Sequence, residues 1–188
     1  WLRRVGERAL SVLGRPTAEC SVLVVDAAAM AALNRTYRGV AGPTDVLAFP
    51  MTEGRFGKAW PSSRALRQAQ GFVVSAQPNG PEQGRGTQAE GPDLLGDVVI
   101  SAETARRQAR PARGGLRAEL ALLLVHGILH LVGYDHGTAE GRRRMWHKQR
   151  AILAACGIQA PAAAGTIRAP AGGRLRAARP APGRKRGE

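Results

Sequence analysis

The chain has 188 residues, 44% of them hydrophobic and only 4% aromatic, and carries a formal net charge of +14. That composition suits one domain with decorations and an ordinary core built from Leu, Val, Ile and Ala. No run of about 18 apolar residues occurs, which excludes a membrane-spanning helix, and two cysteines exclude a disulfide framework.

Cys20 and Cys156 both sit in apolar surroundings and read as small core residues of a protein in a reducing compartment, the cytoplasm. The chain begins at Trp1, so a native start upstream is expected, and no signal peptide is visible. Positive charge is not confined to one end. Residues 161–188 hold seven basic residues against the single acid Glu188, a net +6, and the remaining +8 belongs to residues 1–160. An arginine-rich composition can reflect solubility alone. A basic body nevertheless points to a polyanionic partner, bound through phosphate contacts with counterion release.

In chain order, residues 1–13 read as a short helix and 20–25 as a buried β-branched strand. Asp26 then caps a helix to about Arg38, with Met30, Leu33 and Tyr37 on one stripe. Gly39, Gly42 and Pro43 break that helix, and 45–49 form a second strand closed by Pro50. Residues 51–92, rich in Gly, Pro, Gln and Ser, read as a flexible insertion in which 71–75 can form a short strand. A strand over 94–100 follows, then Ser101 as the cap of a helix to about Arg110, then a turn over 111–115. The clearest helix spans 116–132 and ends at Gly133, and a last helix runs from about Thr138 to Ala155. Residues 1–160 are thus the expected domain, and 161–188 an Arg-, Pro- and Ala-rich tail expected to be disordered. The order suits an α+β fold with one small sheet covered by helices.

Three of the four histidines lie within eleven residues, as His126-Gly127-Ile128-Leu129-His130-Leu131-Val132-Gly133-Tyr134-Asp135-His136. On a helix, positions four apart share a face, so His126 and His130 can present two nitrogens to one ion. Gly133 lets the chain turn sharply, and His136 can fold back as a third ligand. A lone histidine on an apolar helix is usually a satisfied core residue. Three at this spacing are better read as a metal set, because imidazoles on an apolar helix cost free energy unless bonded. Three nitrogens with an open fourth position are the pattern of catalytic rather than structural zinc, one ion per chain. The spacing resembles metzincin proteases, but those carry Glu directly after the first histidine as general base. Here that position is Gly127, which argues against a peptidase.

The histidine signature closely resembles the YbeY family of bacterial endoribonucleases, the ribosomal RNA maturation factors. Two further blocks agree in the family's order: Leu33-Asn34-Arg35-Thr36-Tyr37-Arg38-Gly39 followed by Pro43-Thr44-Asp45-Val46-Leu47-Ala48-Phe49-Pro50, and Leu95-Gly96-Asp97-Val98-Val99-Ile100-Ser101. The resemblance covers roughly residues 19–156. It implies a small mixed β-sheet with helices around a three-histidine metal cleft, zinc on His126, His130 and His136, and cleavage of single-stranded RNA in ribosomal RNA processing. It also implies ribosomal RNA, and components of the small ribosomal subunit, as partners. Arg38 matches the family arginine that faces the RNA phosphate, so it is the candidate catalytic residue; from the residues alone it is a solvated helix-end arginine.

Other polar residues near these blocks have more modest readings. Asp135 either hydrogen-bonds a ligand imidazole or stabilises the turn, and Asp97 either serves the cleft or caps its strand. Glu119 reads as an exposed first-turn acid rather than a distant support for the ligands. His147 reads as surface, and 142–144 as a solvated face or an RNA contact. The chain departs from the family in three places. Val40-Ala41 stands where Lys-Asp is usual after Arg-Gly, Ala48 where Ser is usual, and both the 51–92 insertion and the basic tail are additional. None of these touches the histidines. The alternative from another class is a non-catalytic, zinc-stabilised RNA-binding assembly factor, favoured by the lack of an obvious general base.

Overall fold

A computed structural model describes residues 1–51, 70–75 and 93–159. The expected tail over 161–188 and most of the insertion over 51–92 lie outside the described residues. Helices and strands follow in the order α1 (Leu2–Val12), β1 (Ala18–Val25), α2 (Ala27–Arg38), β2 (Val46–Pro50), β3 (Gln70–Ser75), β4 (Asp93–Ser101), α3 (Ala102–Gln108), a 3-10 turn (Pro111–Arg113), α4 (Gly115–Leu131) and α5 (Ala139–Ala155). The fold is α+β, as expected, and the short strand foreseen inside the insertion is β3.

The strands form one mixed sheet in the order β2-β4-β1-β3. β1 runs parallel to β4 and antiparallel to β3, and β2 runs antiparallel to β4. Because β2 is an edge strand, it tolerates Pro50 as its last residue. Alternation along the strands splits the side chains between two cores. Cys20, Val22, Val98 and Ile100 face a large cluster shared with α1, α4 and α5. Leu23, Val25, Leu47, Phe49 and Val99 face Met30, Leu33 and Tyr37 of α2, the stripe read from the sequence.

The helix ends follow local chemistry. Asp26 accepts from the amide of Ala29 at 2.7 Å, and Ser101 from that of Thr104 at 3.3 Å. α3 stops at Gln108, two residues short of the expectation. Arg110 precedes Pro111 and is extended (φ −118, ψ 120), the conformation a following proline favours. α4 is central: every residue from Ala121 to Leu129 is buried, and it packs on α1, α3, α5, β2 and β4. Such all-round burial explains why it reads as apolar throughout.

α4 also approaches the sheet too closely for a side chain at residue 127. A Cβ on Gly127 would lie 2.5 Å from Val98 Cγ1 and 3.0 Å from its Cγ2. The position where a metzincin has its glutamate is here a helix–sheet contact.

Candidate metal centre

His126 and His130 stand one turn apart on the C-terminal half of α4. Gly133 then reverses the chain with φ +92, a value for which glycine is the easy choice. The amide of Gly133 bonds the carbonyl of His130 at 3.1 Å, and that of Tyr134 bonds Leu129 at 2.9 Å. These close the helix in the manner of a Schellman cap. The reversed loop carries His136 back to the helix. Asp135 accepts from the amide of His136 at 2.8 Å and so holds this loop.

The structure brings the three histidines together. Their ligand-capable nitrogens all lie within 4.8 Å of one another, with His126 buried and the other two half-buried. Ring centroids are 4.7 Å apart for His126–His130, 5.4 Å for His126–His136 and 5.0 Å for His130–His136.

A fourth residue completes the arrangement. Gln149 of α5 is buried, and its Oε1 lies 3.1 Å from His126 Nδ1. An amide oxygen can only accept, so His126 Nδ1 donates and its Nε2 keeps a lone pair. That Nε2 faces His130 Nε2 at 3.2 Å. His130 is held in addition by a backbone hydrogen bond to Tyr134.

Burial pushes the His126 pKa down to about 3, reinforced by His130 and His136 and opposed by the Gln149 bond. It pushes His130 down to about 4, with His136 and Arg38 adding to the effect and Asp135 and Tyr134 opposing it. Both rings are therefore neutral at physiological pH, the state in which imidazole binds a metal. A converging set of three imidazoles, one of them oriented by an outer hydrogen bond, fits a divalent transition ion.

Arg38 is the last residue of α2, half-buried, and its positive charge is close enough to lower the His130 pKa. Arg38 thus acts electrostatically on His130 from a different element. The remaining polar candidates separate. Asp97 hydrogen-bonds Ser21 on the neighbouring strand and does not join the histidines. His147 is exposed, Arg142 lies over the Trp146 ring at 5.9 Å, and Arg144 pairs with Glu140 at 2.7 Å.

Glu119 contradicts its sequence reading. It is buried, 8% exposed, and feels the charge of the equally buried Asp45, which precedes β2. Its Oε1 has no hydrogen-bond partner among the described residues. Burial, then Asp45, raises its pKa, against a smaller opposing effect of Arg113. Gln149 was not singled out in the sequence at all. The signal that could have found it is a lone amide on the stripe formed by Met145, Ile152 and Leu153, which are all buried.

A family model described as "Endoribonuclease YbeY" matches residues 1–157, a span that includes Arg38, all three histidines and Gln149. The chain belongs to the YbeY endoribonuclease family. Curated relatives named "Endoribonuclease YbeY" include one from Moorella thermoacetica, 41% identical over 82% of this chain and 91% of its own length. One from Parafrankia sp. is 43% identical over 74% and 72%, and one from Salinispora tropica is 42% identical over 80% and 82%. No helix among the described residues is long and apolar enough to cross a membrane.

Proposed function

We propose that this chain is a zinc-dependent endoribonuclease that cuts single-stranded RNA during ribosomal RNA maturation in the cytoplasm. The observation that carries the reading is the convergence of three histidine nitrogens, those of His126 and His130 on rings kept neutral by burial, with the Arg38 charge acting on His130. Zinc would be held by His126, His130 and His136. Two nitrogens at about 2.0–2.1 Å from a tetrahedral zinc are separated by about 3.3 Å, and the Nε2 atoms of His126 and His130 stand 3.2 Å apart. When bound, the ion supplies Lewis-acid stabilisation of phosphoryl charge or an acidified water.

The protein's own groups do the remaining work. Gln149 holds the His126 ring with its Nε2 toward the centre. The Asp135 side chain keeps His136 in place by bonding its amide. Arg38 approaches from α2, where a guanidinium can pair with two phosphoryl oxygens and stabilise the charge that grows on them. Small-subunit ribosomal components are the proposed setting of the RNA.

A non-catalytic RNA-binding assembly factor is the second reading. It draws on the absence of any carboxylate from the metal cluster among the described residues, which leaves proton transfer without an evident base. The two readings part in one experiment. Metal-loaded protein is incubated with single-stranded RNA beside Arg38→Ala, His130→Ala and a chelated sample. Cleavage by the wild type, lost in the other three, supports the nuclease. Cleavage equal in all four, or absent from the wild type while RNA is still bound, favours the assembly factor.

A further inference from the structure

Away from the histidines, the densest charge lies at the corner between α3 and α4. Arg106 and Arg107 end α3, Arg110 and Arg113 bracket the 3-10 turn, and Arg117 stands in the first turn of α4. All five are exposed. From Ala102 to Ala118 the sole acid is Glu103, and it accepts from the amide of Ala27 at the far end of α3. Ion pairs among the described residues are Arg15–Asp93 and Arg144–Glu140. Arg106, Arg107, Arg110 and Arg117 therefore meet no carboxylate there.

Local needs of the helices account for part of this charge. Arg106 and Arg107 complement the negative end of α3, and Arg107 is tied to Thr104 Oγ1 at 3.0 Å. Arg117 has the opposite relation to its helix. It sits at the positive end of α4, whose first turn holds no acid and whose cap, Gly114, offers no side chain. That placement is unfavourable at an exposed helix end. Its guanidinium is also laid over the Trp1 ring at 5.1 Å, with Trp1 46% exposed. A charged corner that its own helix does not want is explained by a partner bearing the opposite charge.

We infer that this corner is a second RNA contact, an exosite that grips phosphodiester backbone beyond the scissile nucleotide. The inference rests on the ribonuclease reading of the histidine centre. At about 1.5 Å per residue, Arg117 lies roughly 14 Å along α4 from His126 and roughly 20 Å from His130. The corner therefore cannot hold the reacting phosphate. At 3.6 residues per turn Arg117 also lies on the opposite side of α4 from His126, so the corner can hold the same strand only where it continues several nucleotides past the cleft and around the helix, through guanidinium–phosphate pairs and the Arg117–Trp1 surface.

The test is a triple variant, Arg106→Gln with Arg110→Gln and Arg117→Gln, which leaves Arg107 and Arg113 in place. Binding of the metal-loaded full chain to single-stranded RNA is followed by anisotropy over a range of salt. Two lengths are used, a short strand confined to the histidine cleft and a long one reaching past the corner. For the long RNA, the dependence of log Kd on log salt should flatten by about two units, as for three lost single-strand phosphate contacts. Affinity for the short RNA, and kcat on it, should stay at the wild-type value. Unchanged long-RNA affinity and slope would overturn the exosite, as would equal weakening for both lengths, which signals a diffuse field. A wild type that shows no length advantage and no RNA binding overturns it too. If the wild type binds with the predicted length dependence but does not cut, the nuclease reading fails and the exosite stands.

Discussion

Replacing Gly127 by alanine sets two effects of opposite sign against each other. Helix propensity favours the change by about 1 kcal/mol, because alanine loses less backbone entropy than glycine. Packing opposes it. The new Cβ would lie 2.5 Å from Val98 Cγ1 and 3.0 Å from Cγ2, against an optimal carbon–carbon contact of about 3.5–4.0 Å. Rotating Val98 does not relieve this, since two methyls occupy two of three staggered positions and one of them always remains in the way. Val98 is 0% exposed in the middle strand β4, so it has no room to retreat. Overpacking of this kind costs about 1–3 kcal/mol, so Gly127→Ala should lose a net of about 0–2 kcal/mol of stability rather than gain the propensity term. Zinc binding should weaken as well, because His126 is the preceding residue and moves with the helix. Urea unfolding of the metal-free protein gives the first quantity, and competition with a chelator gives the second. A companion Val98→Ala change removes both methyls. The double variant should then be more stable than the sum of the single changes predicts, by about 1–2 kcal/mol. A Gly127→Ala protein more stable than the wild type by about 1 kcal/mol, the unopposed propensity gain, with zinc affinity intact, would refute the claim that helix–sheet distance requires glycine there.

Other expectations follow from the same geometry. Gln149→Leu should weaken zinc binding by about 10–100-fold through loss of the bond that orients His126, and Gln149→Glu, which keeps an acceptor, should lose less; chelator competition measures both. His130→Ala should abolish stoichiometric zinc in elemental analysis, and a metal content equal to the wild type would remove that residue from the ligand set. In the metal-free protein, the depressed pKa values of His126 and His130 mean that the unfolded chain takes up protons first as the pH falls. Stability should be whole above about 6.5 and drop by a few kcal/mol toward about pH 4, read as Tm against pH. Glu119 has the reverse sign, since its folded pKa is raised. It penalises folding increasingly as pH rises above its unfolded value, so Glu119→Gln should raise Tm at neutral pH and change it little in acid.

Much of the centre was legible because it is local. The spacing of His126 and His130 is a property of one helix, and the return of His136 follows from a glycine placed where the helix must stop. The α2 stripe of Met30, Leu33 and Tyr37 was equally readable from period alone. What escaped depends on contacts between distant segments. Gln149 meets His126 across 23 residues, and nothing in the local pattern of α5 says which buried neighbour its amide will find. Glu119 read as exposed because a first-turn acid usually is, yet the tertiary fold buries it within reach of the charge of Asp45, 74 residues earlier in the chain. The resemblance named Arg38, but only the fold carries its charge from the end of α2 to His130.

The central claim is that one zinc per chain, on three histidines, makes this protein an RNA-cutting enzyme. Zinc should be titrated into metal-free protein during single-turnover cleavage of a single-stranded RNA. The account predicts that the rate rises linearly and levels off at about one equivalent, and that His130→Ala stays inactive over the same range. A rate that ignores zinc, or that needs a large excess with no break near one equivalent, would contradict it.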